Sequence, residues 1–342
     1  MPGIFTISLD FELHWGGFEK WPLATNGYAG KKAMNRYFLN TRQIIPRLLN
    51  CFEHYQVHAT WAAVGLLLHE NRRQLEAGIP SLKPTYRHRE LSAYHYLEKY
   101  GIGLHEADDP FHYAHTLVKQ ILATPGQELG SHTFSHYYCN EAGQTPEQFR
   151  ADLRAAKRAS TRYGVRPRSL VFPRNQFNDA YLKVCAEEGF NAVRSNPPVW
   201  FWNINTRNES RWKRFNRGLD AYLPWGKDYT YDLSSLSYQP GMPVRTPASR
   251  LLRPYRPEEM MLNELKIRRI EGELRHAAKT GKVYHLWWHP HNFGFHPEEN
   301  MKGLNRILDT FGELSKQYGM VSMNMGEIAD QIILRSHGHA AA

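Results

Sequence analysis

The sequence predicts an α/β fold in which parallel strands alternate with helices. Short apolar runs recur along the 342 residues, and longer segments with helical periodicity lie between them. The composition, 42% hydrophobic and 22% charged, is typical of a folded globular protein. Because α/β barrels of this length form single domains, we predict one domain over residues 1–335, followed by a tail over 336–342.

The apolar runs define the candidate strands, and helix caps define the candidate helices. The strands are predicted at 4–10, 58–64, 127–131, 169–173, 191–194, 283–289 and 320–323. The helices are predicted at 148–163, 178–188, 257–280 and 298–317. The first helix follows Thr145 and Pro146, a cap and a proline at the first helical position, and it ends at Gly164.

Two segments do not fit the alternation of strand and helix. Residues 78–110 and 196–254 are rich in proline, aromatic and basic residues, and both are longer than ordinary βα connections. We predict that they are insertions that shape a binding site. Within the second, residues 200–217 mix tryptophan, phenylalanine and arginine, which predicts contact with a membrane surface or a lipid diphosphate. A solvated substrate loop is the alternative.

The net charge of +10 predicts a surface that attracts anions such as nucleotides or lipid phosphates. No DNA- or RNA-binding motif accompanies the basic residues, so we predict no nucleic-acid partner. The three cysteines show neither disulfide nor metal-site spacing. With no signal-like N-terminus and no apolar run of about 18 residues, the expected location is the cytoplasm, with peripheral contact at the inner membrane face.

Four motifs place polar side chains at the ends of candidate strands. Asp10 and Glu12 point the same way because a strand alternates its faces. His132 and His136 follow the strand at 127–131, and histidines four residues apart are able to share one metal ion. His289 ends the apolar run 286–288. Taken singly, each of these motifs also fits a structural or solvated role.

The fourth motif, at 170–176, puts Arg174 after a buried strand, and we predict that Arg174 pairs with the Asp10 carboxylate and holds its orientation. A plain surface arginine is the alternative. We also predict substrate contacts for residues that lie beside the four motifs in sequence. These are His14, Trp15, Asn175, Gln176 and His291.

In their order along the chain, these motifs resemble those of the polysaccharide deacetylase family, also called the NodB-homology group. The segment 9–12 resembles its aspartate motif, 131–136 its H-[ST]-x-x-[HS] motif and 286–289 its L-x-L-H motif. The resemblance implies a distorted (β/α)₇ barrel, here with the two insertions. It also implies a divalent metal, commonly zinc, although other divalent transition metals are compatible with this site.

The resemblance also implies roles for single residues. His132 and His136 would bind the metal, and His289 would protonate the leaving amine. The family usually has adjacent aspartates, whereas this chain has Asp-x-Glu; we assign Asp10 as the base and Glu12 as the ligand, and the reverse stays open. The family's arginine motif is matched only loosely around Arg174, and its D-x-x-D-W motif has no acidic counterpart at 192–200.

The predicted function is the metal-dependent removal of an acyl group, acetyl above all, from an amino sugar. A cytoplasmic enzyme would meet a nucleotide- or polyprenyl-phosphate-linked precursor rather than an extracellular polymer, and the basic surface agrees with that substrate. Two alternatives stay open. One is a deformylase or another small-amide hydrolase with the same chemistry, and the other is a non-catalytic carbohydrate-binding barrel.

Overall fold

The computed structural model describes residues 1–20, 31–197, 199–202, 210–220, 222 and 229–340. Within these ranges, nine strands form one sheet whose paired strands all run parallel. The strands are β1 Ile4–Phe11, β2 Ala59–Ala63, β3 Gln127–Ser131, β4 Ser169–Leu170, β5 Ala192–Ser195, β6 Val244–Pro247, β7 Arg250–Leu251, β8 Val283–Trp288 and β9 Val321–Ser322.

The order of the strands shows how the sheet curls into a barrel. Its main path runs β6-β5-β4-β3-β2-β1-β8-β7, and β9 pairs with β1 outside this path. Only two residues separate β6 from β7, yet β6 pairs with β5 at one edge and β7 pairs with β8 at the other. One chain segment therefore joins the two edges. With β6 and β7 counted together and β9 left aside, the main path has seven strands, as the predicted (β/α)₇ fold requires.

This closing segment lies inside the predicted insertion at 196–254. The prediction of an insertion over that whole range is therefore wrong for β6 and β7. Along β6, the side chains of Val244 and Thr246 are buried while Arg245 is exposed. So short and partly polar a strand has no apolar run that would reveal it in the sequence.

The helices surround the sheet and bury its outer face. They are α1 Lys31–His54, α2 Arg72–Gly78, α3 Ala93–Tyr100, α4 His115–Ala123, α5 Pro146–Thr161, α6 Asp179–Glu187, α7 Arg211–Asp220, α8 Met260–Thr280, α9 Pro297–Tyr318 and α10 Met325–Ala340. The start of α5 is a capping box in which Thr145 and Gln148 satisfy each other's backbone N–H groups. Among the described helices, none is long and apolar enough to cross a membrane.

The central strands are buried on both faces, and their carboxyl ends carry the polar residues of the predicted site. All eight residues of β1 are buried, as expected for a parallel strand covered by helices on one face and by the barrel interior on the other. The strands β1, β2, β3 and β8 are neighbours in register. Their carboxyl ends therefore meet at one edge of the barrel, where the predicted site residues lie.

Candidate metal and catalytic centre

Glu12, His132 and His136 form a buried cluster at this edge. The Nε2 atoms of His132 and His136 lie 3.0 and 3.3 Å from the same Oε1 atom of Glu12. One ligand atom from each of the three residues lies within 4.8 Å of the others, and all three residues are buried. The cluster thus offers two imidazole nitrogens and one carboxylate oxygen around a common point, which is the protein ligand set of many catalytic zinc sites.

The Glu12 side chain occupies space that only a glycine at position 16 leaves open. Gly16 ends the short 3₁₀ helix Leu13–Gly16 that follows β1. A Cβ atom at position 16 would lie 1.7 Å from Oε2 of Glu12, far inside van der Waals contact. Gly16 is therefore required for the position that Glu12 adopts.

A chain of polar contacts fixes the His136 ring from behind. The Tyr138 hydroxyl donates to Oε2 of Glu19 at 3.2 Å, and its oxygen lies 2.9 Å from Nδ1 of His136. Because the hydroxyl proton goes to Glu19, the Tyr138 oxygen accepts from the Nδ1–H of His136. Burial lowers the pKa of His136, so the neutral ring carries its one proton on Nδ1.

The tautomer of His136 bears on whether the cluster of Glu12, His132 and His136 suits a cation. The Nε2 lone pair of His136 then faces a carboxylate oxygen of Glu12, whose own pKa is held well below its usual value. Burial alone would raise the Glu12 pKa, but the nearby His289 and the hydrogen bond with His132 outweigh it. Two electron pairs directed at each other in a buried site call for a positive charge between them. The residues present therefore fit a divalent metal.

Asp10 lies beside this cluster and pairs with Arg194. Two guanidinium nitrogens of Arg194 donate to the two carboxylate oxygens of Asp10 at 2.5 and 2.8 Å, and both side chains are almost fully buried. The guanidinium also lies 4.1 Å from the ring centre of Trp287. Burial opposes the charge on Asp10, but Arg194, His289 and His132 together keep its pKa below the usual value.

The prediction that Arg174 pairs with Asp10 is wrong. Arg174 instead contacts Glu19, and its guanidinium lies 4.1 Å from the ring centre of Tyr138. Its φ angle of 55° is in the left-handed region, so the chain turns there and carries the side chain towards Glu19. Arg174 therefore reaches the site only through Glu19, Tyr138 and His136.

His289 and His291 line the same site from the end of β8. The Nε2 atom of His289 lies 3.7 Å from an oxygen of Asp10 and 3.7 Å from an oxygen of Glu12. Its side chain is 26% exposed, so it is the most accessible of these groups. The Nδ1 atom of His291 lies 4.0 Å from Glu12, and burial lowers the pKa of His291 to about 4. His291 is therefore neutral near pH 7.

The other predicted substrate contacts divide into two groups. His14 and Trp15 are fully buried, and they contact His112: Nδ1 of His14 lies 2.9 Å from its Nε2, and the Trp15 N–H donates to its carbonyl. Both thereby hold the segment before α4 rather than present a surface to a ligand. Asn175 accepts from Arg194 at 3.0 Å, so it does belong to the site. Gln176 is buried and donates to Glu141.

Sequence reasoning missed Arg194, Tyr138 and Glu19. Arg194 could have been found from its position at the end of the apolar segment 191–194. An arginine buried there needs an anionic partner, which points to a nearby carboxylate. Tyr138 lies two residues after His136, where a partner for a ligating imidazole is expected. The sequence around Glu19 has no motif that points to the site, because Glu19 is brought there only by the 3₁₀ turn that follows β1.

Comparison with known proteins agrees with the motifs. The family model described as polysaccharide deacetylase matches residues 36–193, just under half of the chain. No protein of curated function matches the chain in sequence.

Solved structures share the fold over nearly the whole chain. A putative polysaccharide deacetylase from Mycobacterium smegmatis is 15% identical, with a TM-score of 0.59, over 98% of this chain and 92% of that one. PuuE allantoinase is 13% identical, with a TM-score of 0.53, over 96% and 88%. A GH57-type branching enzyme from Pyrococcus horikoshii is 11% identical, with a TM-score of 0.53, over 96% and 70%. These likenesses show the fold, and the family match confirms, over residues 36–193, the resemblance to the polysaccharide deacetylases that the motifs predict.

Proposed function

We propose that the protein hydrolyses the N-acyl group, most simply an acetyl group, of an amino sugar. The observation that carries this proposal is that a three-ligand cluster (Glu12, His132 and His136) lies next to a separate carboxylate and a partly exposed histidine. Asp10 and His289 lie at its edge and form, with Glu12, a second group that could hold a metal. We assign the metal to Glu12, His132 and His136, because two imidazoles and a carboxylate suit zinc and this choice leaves Asp10 and His289 available for proton transfer. Amide hydrolysis needs these two further groups, one to accept a proton and one to donate it.

Glu12, His132 and His136 would hold the metal, for which zinc is our proposal because two imidazoles and one carboxylate suit it. When bound, such a metal lowers the pKa of water and polarises the amide oxygen of a substrate. The remaining steps fall to the side chains. Asp10 takes a proton from the attacking water, and the two hydrogen bonds from Arg194 hold its carboxylate in one orientation.

His289 completes the reaction. As the acyl carbon–nitrogen bond breaks, His289 gives a proton to the nitrogen, so the products are a free amine and a carboxylate. Two observations support this role: His289 Nε2 lies 3.7 Å from oxygens of both Asp10 and Glu12, and its side chain is partly exposed, so a substrate could reach it.

We test the proposal by acetate and formate release from acylated amino sugars, presented free, nucleotide-linked and lipid-linked. Zinc-loaded wild type should release acetate, and Asp10→Asn should slow release at least about 100-fold. His132→Ala and His136→Ala should each lose the bound zinc, measured by elemental analysis. Formate release alone would identify a deformylase. Absence of any release from folded, zinc-loaded protein would leave a carbohydrate-binding role.

We further propose that α7 contacts an anionic membrane surface, which would bring a lipid-linked substrate to the site. Trp212 and Phe215 are 62% and 53% exposed, and their rings stack with centres 5.5 Å apart. Arg211 and Arg217 flank them, and the chain carries a net charge of +10. Exposed aromatic rings between basic residues are typical of helices that lie in the lipid interface.

Vesicle sedimentation tests this second proposal. Vesicles containing phosphatidylglycerol should retain the protein at low salt, and pure phosphatidylcholine vesicles should not. Trp212→Ala combined with Phe215→Ala should release it. Equal binding to both vesicle types, or no effect of the double variant, would show that α7 has a different role.

A further inference from the structure

The guanidinium group of Arg194 is held by contacts beyond its pairing with Asp10. One terminal nitrogen also donates to the Ser8 hydroxyl at 3.2 Å, and the other also donates to the Asn175 side chain at 3.0 Å. The central carbon of the group lies 4.1 Å from the centre of the Trp287 ring. Because each terminal nitrogen has a second acceptor and the ring covers one face, these contacts fix the direction from which Arg194 approaches the Asp10 carboxylate.

The contact with Ser8 leads to a second buried side chain, that of His285. Ser8 lies two residues before Asp10 on β1, and His285 lies two residues before Trp287 on β8, which pairs in parallel with β1. Side chains two residues apart on a strand share a face, so all four point into the barrel interior, where Arg194 lies. Ser8 and His285 are both fully buried there.

The contacts of His285 determine which of its ring nitrogens carries the proton. Nδ1 lies 3.1 Å from the backbone oxygen of Pro247, which is only able to accept, so the proton is on Nδ1. Burial and the charge of Arg194 lower the pKa of His285 to about 3, so the ring is neutral and Nε2 has a lone pair. Nε2 lies 2.8 Å from the Ser8 oxygen and accepts its proton. The lone pairs of the Ser8 oxygen are therefore left to accept from Arg194.

The segment that closes the barrel holds His285 in place. Pro247 is the last residue of β6, and two residues later the Ser249 hydroxyl accepts the backbone N–H of His285 at 2.9 Å. The backbone N–H of Ser249 in turn donates to the carbonyl of His285 at 2.8 Å. A continuous chain of hydrogen bonds therefore runs from the closing segment, across the barrel interior, to the proposed base Asp10.

We infer that Ser8 and His285 are positioning residues, which hold Arg194 and thereby set the orientation of the Asp10 carboxylate for proton transfer. The inference rests on the proposed function. Neither side chain is exposed to a substrate, so loss of either should lower kcat and leave KM unchanged. A misplacement of about 1 Å at a reacting group costs about 100-fold, so we expect about tenfold for a contact that acts through Arg194.

Acetate release from N-acetylglucosamine, its tetramer and UDP-N-acetylglucosamine by zinc-loaded proteins tests the inference. Ser8→Ala and His285→Asn should each lower kcat about tenfold, with KM within about twofold of the wild type. The double variant should be no slower than the single variants, because both changes remove the same contact. His285→Gln should keep most of kcat, because its longer amide reaches the position of Nε2 and accepts from Ser8, whereas the Asn amide reaches only the position of Nδ1.

Ser160→Ala is the matched control, since Ser160 is a buried serine on α5 whose hydroxyl donates to a backbone carbonyl, and it should keep the wild-type kcat. Urea unfolding of each variant separates lost stability from lost orientation. Three outcomes would overturn the inference: unchanged kcat in Ser8→Ala and His285→Asn, equal losses in the Asn and Gln variants, or an equal loss in Ser160→Ala. If Ser8→Ala does not fold, the comparison of Asn with Gln at position 285 decides.

Failure of the proposed function has a different signature, since the wild type would then release no acetate from any of these compounds. The ¹⁵N spectrum of the wild type tests the hydrogen-bond chain without activity. Nδ1 of His285 should carry the proton and Nε2 should not, and a protonated Nε2 would contradict the chain.

Discussion

Replacing Arg194 by methionine should strongly destabilise the protein, because Asp10 would remain as a buried charge without its partner. Arg194 is 1% exposed and Asp10 is 3% exposed, so water screens their interaction very little. Breaking one side of such a buried pair costs about 3–5 kcal/mol. The pKa of Asp10 should rise at the same time, since Arg194 is the strongest influence that lowers it.

A double-mutant cycle measures this pair without assuming the cost of either single change. Arg194→Met, Asp10→Asn and the double variant are unfolded in urea in the metal-free state, and each free energy of unfolding is obtained by linear extrapolation. The double variant contains neither charge, so it should be more stable than the sum of the two single losses predicts. We expect a coupling energy of about 2 kcal/mol.

Arg174→Met is the matched control, since the sequence alone assigns Arg174 to this role. Arg174 contacts Glu19 instead, so its substitution and Asp10→Asn should be additive within about 0.5 kcal/mol. If Asp10 coupled to Arg174 and not to Arg194, the geometry of the site described above would be refuted.

Two further predictions concern Gly16 and Asp152. Gly16→Ala should displace the Glu12 carboxylate and weaken zinc binding at least about tenfold, as measured by competition titration. The control is Gly272→Ala, where an added Cβ meets nothing within 4 Å, and it should leave zinc affinity unchanged. Equal zinc affinities of the two variants would show that Glu12 is not displaced. Burial raises the pKa of Asp152 to about 6, so the folded chain holds this proton more tightly than the unfolded chain and the stability from this group falls as pH rises from about 4 to about 6. Relative to Asp152→Asn, the wild-type free energy of unfolding should therefore fall by roughly 3 kcal/mol across that window, and a difference that is flat with pH would contradict the assignment.

Much of the fold follows from the sequence because burial on both faces produces apolar runs. The predicted strand at 127–131 coincides with β3, and that at 283–289 exceeds β8 by one residue. The segment that closes the barrel could not be found in this way. It contains β6 and β7, whose few residues alternate between buried and exposed and whose partners are more than 30 residues distant in the chain.

The site was predictable to the extent that strand ends determine it. Asp10, Glu12 and His289 come together because β1 and β8 are parallel neighbours. The choice between Arg174 and Arg194 was not predictable, since both arginines follow an apolar run. Arg174 has left-handed backbone and its side chain contacts Glu19, whereas the side chain of Arg194 is buried against Asp10.

Left-handed backbone is concentrated around this site. Of six non-glycine residues with positive φ in the described ranges, Gln56 alone lies elsewhere; the others are Leu13, Thr133, His136, Arg174 and Asn175. Each such conformation costs of order 1 kcal/mol, so the surrounding contacts must impose it.

The chain's own hydrogen bonds impose this conformation on the loop with the two histidines. Asp152 accepts the backbone N–H groups of Phe134 and Ser135 at 2.6 and 3.1 Å, and the Thr133 hydroxyl accepts the N–H of Tyr137 at 2.7 Å. None of these contacts involves a ligand atom. The loop is therefore ordered before a metal binds, and loss of Asp152 should lower metal affinity although Asp152 never touches the metal.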